Sequence, residues 1–279
     1  MRAAGLLGLL LSGVLLAQND ARDRVYYPGD SEGAKPLARK LTANIWLDQK
    51  DIWRSPFRMR SRDARWWIGI GAATAALIAT DRRASAAVAD NPNVARWGGR
   101  ISNIASAYSI APIIAGYYAY GSWKDDSRAR QTAVLGAEAV GGGFIVVEVL
   151  KLAARRARPD AGADRGRFFS GGSSFPSGHT FAAFALASVV AHQYQDSRVL
   201  PIAAYTLAAA VGAARFSAQR HFPADIVVGG AAGWFIGRYV CRTHEEHVGH
   251  RRGWLNPTVT PVVSPGSGTF GIALGYGQP

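Results

Sequence analysis

Apolar residues gather in six stretches along the chain, approximately 66–80, 101–121, 131–150, 179–194, 199–214 and 225–240, separated by charged or Gly/Pro-rich connectors. Six helices are the natural reading. The predicted fold class is all-α: a six-helix transmembrane bundle over 66–241, with a polar N-terminal arm and a short C-terminal β-hairpin. Several stretches fall short of the roughly 20 residues that a bilayer core requires, and most are rich in Ala and Gly rather than Leu. Before them, residues 1–17 carry an early charge at Arg2, an apolar run from Leu6 to Leu16 and a small Ala17 followed by polar residues. This is the pattern of a secretory signal, or of an anchor if the large Leu15 prevents cleavage. Residues 18–65 read as a loop-rich basic arm ending in Arg54, Arg58, Arg60, Arg62 and Arg65, which meets the membrane or bundle at Trp66-Trp67. The tail 242–279 alternates Phe270, Ile272, Leu274 and Tyr276 after a Ser-Pro-Gly turn, as a hairpin does.

Within the stretches, Glu138 and Glu148 interrupt the third. A carboxylate in lipid is costly, so Glu138 is expected to face the bundle interior and Glu148 to reach water near a helix end. Gly229, Gly233 and Gly237 recur every four residues in the sixth, a smooth stripe that lets a neighbouring backbone approach.

Composition sharpens the class. With 279 residues, 48% hydrophobic and 18% charged, the chain is neither disordered nor, having only Cys241, a disulfide scaffold. Its mean hydropathy of zero is low for a membrane protein. The formal charge of +13 invites a nucleic-acid partner. Its Arg and Lys lie in short clusters between apolar runs, however, where headgroups or an anionic substrate serve equally well, and no nucleic-acid partner is expected.

Three connectors hold the chemistry. Lys151 to Arg158-Pro159 closes the third stretch; continued as a helix, it lines Lys151, Arg155 and Arg158 on one face. Pro176-Ser177-Gly178-His179 opens the fourth, so Ser177 or Gly178 caps a helix whose free N–H groups suit an anion. Arg215 to His221 and Asp225 joins the fifth and sixth, and a helical turn around Pro223 lets the Asp225 carboxylate meet one imidazole nitrogen. If every stretch crosses the bundle once, all three connectors fall at one end. His244, His247 and His250 have metal-ligand spacing, but a solvated polar segment is the better reading and they stay outside the site.

This arrangement resembles the type 2 phosphatidic acid phosphatase and vanadium haloperoxidase superfamily, whose signature is Lys-x6-Arg-Pro, then Pro-Ser-Gly-His, then Ser-Arg-x5-His-x3-Asp. Here Ala214 replaces the usual Ser. The resemblance implies that His221 attacks phosphorus, that Asp225 orients it and that His179 protonates the leaving oxygen. It assigns Lys151, Arg158, Ser177, Gly178 and Arg215 to phosphate binding, with no metal or other cofactor. The implied substrate is a lipid phosphate or diphosphate at a membrane, with a bell-shaped pH profile.

A cleaved signal followed by six spanning stretches would put the motifs on the cytoplasmic side. The Lys and Arg remaining once Lys151, Arg158 and Arg215 are set aside are, however, more numerous on the side away from the motifs. They favour a site on the periplasmic or outer side of a bacterial-type inner membrane, as expected if residues 1–17 stay in the cytoplasm or the short helices do not span. The alternatives are a soluble periplasmic acid phosphatase of the same superfamily, a vanadate-dependent haloperoxidase and a lipid-phosphate-binding protein without turnover.

Overall fold

The computed structural model describes residues 37–55, 61–89, 93–94, 96, 98–99, 107–247, 258–263 and 270–275. The signal or anchor at 1–17 lies outside the described residues. Seven long helices appear among them: α1 (Leu37–Arg54), α2 (Ser61–Ala89), α3 (Ala107–Trp123), α4 (Ser127–Ala154), α5 (Gly178–Gln193), α6 (Val199–Ser217) and α7 (Pro223–His247). Helices α2 to α7 take up the six apolar stretches. The seventh corrects both the helix count and the loop-rich reading of the arm, because Leu37–Arg54 is helical. Two short strands follow, β1 (Thr258–Val263) and β2 (Phe270–Gly275), antiparallel with Thr258 opposite Gly275 and Val263 opposite Phe270.

Local chemistry sets the helix ends that matter for the site. Asp126 caps α4 by accepting the Ala129 N–H at 3.0 Å, and α4 stops where Arg155 adopts a left-handed conformation at φ 43°. Ser177 precedes α5 in an extended conformation. Pro223 opens α7, where its fixed φ suits the first helical position and a missing N–H costs nothing.

The core lies between α4, α5 and α7, around Leu135, Val147, Phe181, Ala185, Val189 and Val240. The glycine stripe makes this packing possible: a Cβ at Gly229, Gly233 or Gly237 would stand 2.5, 2.2 and 2.5 Å from the carbonyl oxygens of Ser177, Phe181 and Ala185. Helix α7 therefore rests directly on the α5 backbone, helix α6 covers another side of α5, and α3 lies on α4.

Helix α1 packs on α4 with a polar face inward. Lys40, Asn44, Asp48 and Gln49 are buried while Trp46 and Trp53 are exposed. Asn44 Nδ2 donates to Glu138 Oε2 at 3.1 Å and Gln49 Nε2 to the Gly142 carbonyl at 2.8 Å. Glu138 faces the interior as expected, and exposed Glu148 pairs with Lys151 at 2.6 Å. His244 is not solvated: it is buried, with Nδ1 2.8 Å from the Val240 carbonyl and Nε2 3.5 Å from Glu138. Among the described residues, α4 and α6 are long and apolar enough to cross a membrane.

Candidate active site

The C-terminal ends of α4 and α6 and the N-terminal ends of α5 and α7 come together, and with them the three connectors. A Cβ added at Gly178 would stand 3.5 Å from both the Lys151 ammonium and the Phe144 ring, in ordinary contact, so both groups lie beside the start of α5. His179, the next residue, is half-buried and lies within electrostatic reach of Arg215, His221, Lys151 and Arg158. Arg158 donates to Ser173 Oγ at 3.4 Å, and Arg215 is buried in the last turn of α6. Three cations thus surround the α5 N-terminus, whose first N–H groups add partial positive charge. Ser177 Oγ shares a hydrogen bond of 2.9 Å with Thr180 Oγ1, and the Ser177 N–H donates to the Asp225 carbonyl at 3.0 Å.

The α4 terminus departs from the expected line of cations. Arg155 is the left-handed cap, so Arg155 and Arg158 do not continue the face of Lys151. The turn sends Arg156 inward instead, where it is 1% exposed.

His221 lies in the connector 218–222, 3% exposed. Its Nδ1 stands 2.7 Å from the Ser174 carbonyl oxygen. Only a protonated Nδ1 can donate to that oxygen, which leaves the lone pair of the neutral ring on Nε2. Burial pushes the imidazole below the ordinary histidine range, more than the Asp225 carboxylate raises it, so the ring is neutral at neutral pH.

Asp225 does not meet the imidazole as the spacing suggested. Its Oδ2 is 3.8 Å from His221 Nδ1, beyond hydrogen-bond distance. The carboxylate is taken up by three other donors: Ser174 Oγ at 2.5 Å, the Phe222 N–H at 2.9 Å and Arg156 Nη1 at 2.6 Å. Asp225 therefore holds Ser174, whose own carbonyl holds the ring, and supplies negative charge behind it.

Three residues of this network, Ser174, Arg156 and Asp81, escaped the sequence reading. Arg156 donates through Nη2 to Asp81 Oδ2 at 2.8 Å, and its guanidinium lies over the rings of Phe168 and Phe222, 4.8 and 4.4 Å from their centroids. Asp81 comes from α2, is fully buried and also accepts the Ala224 N–H at 3.1 Å. Its signal was slight: one acidic residue ending the first apolar stretch.

Residues 132–248 match the family model described as the PAP2 superfamily, and that span holds all three motifs and every candidate site residue. Over that segment the chain is similar to the PAP2 superfamily. A lipid A 1-phosphatase of Porphyromonas gingivalis is 35% identical over 104 residues, covering 37% of this chain and 21% of that protein; the match spans about a fifth of the relative's length. Among solved structures, the first transmembrane PAP2 type phosphatidylglycerolphosphate phosphatase from Bacillus subtilis superposes with a TM-score of 0.50 at 19% identity, over 66% of this chain and 98% of that one. Aquifex aeolicus LpxE aligns with a TM-score of 0.44 at 20% identity, over 55% and 87%. The Bacillus likeness is one of fold alone.

Proposed function

We propose that the protein is a membrane-bound phosphatase that hydrolyses a lipid phosphate or diphosphate, without a metal, through a phosphohistidine on His221. The observation that carries this reading is a buried His221, anchored through Nδ1, beside His179 and three cations at one end of an apolar bundle. Binding an anion needs the cations; the second histidine and the anchored ring are what turnover adds.

The lipid class is supported by a cavity of about 520 Å³. Leu37, Leu41, Ile114, Val134, Ala137 and Phe144 line it, and Phe144 also borders Gly178 beside Lys151. From Phe144 to Ala133 it follows α4 for about 16 Å, away from the cation cluster. A membrane setting is supported by the outward apolar surface of α6, where Val199, Ile202 and Leu207 are each more than two-thirds exposed. The site end faces the periplasm or exterior in this reading, in keeping with the Lys and Arg distribution.

In the proposed reaction, Lys151, Arg158, Arg215 and the α5 N–H groups bind the phosphoryl oxygens and stabilise the charge of the transition state. His221 Nε2 attacks phosphorus as the bond to the leaving oxygen breaks, and His179 gives that oxygen a proton. Water then attacks the phosphohistidine, returning a proton to His179 and releasing phosphate and the free His221 ring.

The test is phosphate release by detergent-purified protein from phosphatidate, a polyprenyl diphosphate and a small aryl phosphate, with chelator present. His221→Ala should lose at least about 10³-fold in turnover, and brief incubation with labelled substrate should leave acid-labile phosphate on the parent only. Full activity in the variant overturns the mechanism. Equal turnover of the aryl ester favours a general acid phosphatase, whereas no release with peroxide-dependent halogenation on added vanadate favours a haloperoxidase.

A further inference from the structure

Helix α2 lies outside the PAP2 match, yet it touches the His221 connector on both sides of the histidine. Ahead of it, Ser85 Oγ and Gln219 Oε1 are 2.7 Å apart, and Gln219 Nε2 donates to the Ser85 carbonyl at 3.2 Å. Gln219 sits in the left-handed region at φ 56°, so the turn leaving α6 is tied at its most constrained residue. Behind the histidine, Asp81 accepts the Ala224 N–H and one arm of Arg156, whose other arm grips Asp225. Asp81 and Ser85 are one helical turn apart on the same face of α2, and both are fully buried.

We propose that Asp81, Ser85 and Arg156 are positioning residues for His221, with α2 acting as the clamp that holds its connector against the cation cluster. The inference deepens the phosphohistidine reading and rests on it. None of the three touches substrate. Asp81 orients Arg156, Arg156 fixes Asp225, and Asp225 holds the Ser174 hydroxyl, so that the Ser174 carbonyl meets the ring. The order of charge is carboxylate, guanidinium, carboxylate, a net single negative charge behind His221. The other charged groups facing the ring are Arg215 of α6 and His179 of α5.

This chain of charges makes a signed prediction. Asp81→Asn keeps the shape but removes one negative charge, so the protonated form of His221 loses support and the acid limb of kcat/KM moves to lower pH. Arg156→Lys keeps the charge but cannot bridge both carboxylates, so kcat falls while the limb stays in place. Ser85→Ala leaves the charges alone and loosens only the Gln219 tie. Misplacement on the scale of 1 Å costs about 10²-fold in kcat. That loss is expected for Asp81→Asn and Arg156→Lys, and about tenfold for Ser85→Ala, with KM for the aryl phosphate changed less than about threefold.

The variants are compared with the parent for kcat, KM, pH profile and thermal unfolding in the same detergent. The proposal is overturned if Asp81→Asn turns over like the parent, or if its loss equals its unfolded fraction with the acid limb unmoved. Should Asp81→Asn fail to fold, Ser85→Ala decides, and parental kcat there overturns the clamp. If the parent itself releases no phosphate, the function reading falls. The titration of the His221 imidazole, followed by NMR in parent and Asp81→Asn, then judges the positioning: a lower midpoint in the variant supports it and identical midpoints overturn it.

Discussion

At the residue scale, the proposed role of His221 as nucleophile requires a ring that is neutral, correctly tautomeric and immobile, and its surroundings meet each need by a different means. Burial disfavours the imidazolium, the Ser174 carbonyl selects the Nδ1–H tautomer, and Asp225 ties Ser174 in place. The depressed pKa has a consequence for the pH profile. The proposed attack by His221 requires the unprotonated ring, so the acid limb of kcat/KM should lie below the ordinary histidine value of about 6.5, as a profile on the aryl phosphate would measure. The Ser174 link gives a second expectation. Ser174→Ala keeps the carbonyl but loses the 2.5 Å bond to Asp225, and kcat should fall about tenfold, the equivalent of one net hydrogen bond of about 1.4 kcal/mol. An unchanged kcat would show that Asp225 acts without that hydroxyl. Arg156 sits in a delicate balance, because a buried guanidinium shared by two carboxylates is costly to desolvate and costlier to break: removing one partner of such a pair typically costs about 3–5 kcal/mol.

At the element scale, the site depends on where four helix ends meet, and that depends on how closely α7 approaches α5. The Gly229, Gly233 and Gly237 stripe was legible as a packing device because its four-residue spacing marks one helical face. Gly233→Val would drive a side chain into the Phe181 carbonyl, 2.2 Å from its first carbon. Overpacking of this kind costs about 1–3 kcal/mol, and thermal unfolding in detergent should register it as a lowered midpoint. The end of α4 was less legible. A continued helix would have aligned Lys151, Arg155 and Arg158, but the left-handed Arg155 rotates the chain so that Arg156 enters the interior and Arg158 meets Ser173. Helix α1 was missed because its hydrophobic pattern is inverted: Lys40, Asn44 and Asp48 form the buried face, while the eye seeks an apolar one. Its polar residues are accommodated because α4 presents Glu138 and the Gly142 carbonyl as partners.

At the scale of the whole molecule, the bundle joins a cluster of cations at one end to an apolar cavity along α4, and Phe144 borders both. If the cavity receives the hydrocarbon part of the substrate, filling it should separate lipid from non-lipid turnover. Ala137→Phe is expected to lower kcat/KM for phosphatidate about tenfold while leaving a small aryl phosphate within about twofold, a difference of roughly one or two buried methylene groups. Parallel assays on the two substrates would measure this, and equal losses would point to a structural effect of the substitution instead.

What the sequence by itself determined were features written in short-range order. Six apolar stretches became helices, and the even number of crossings between the three connectors put Lys151, His179, Arg215 and His221 at the same end of the bundle, because local periodicity and alternating chain direction need no knowledge of distant partners. The tertiary structure alone decided which groups those residues meet. Arg156 reaches Asp225 across 69 residues and Asp81 across 75, and Asp81 reaches the Ala224 N–H across 143. Those bonds draw the Asp225 carboxylate away from the His221 ring. Electrostatic attraction in a buried setting acts through space, and a guanidinium delivered by the turn at Arg155 outweighs the histidine that lies four residues away in sequence.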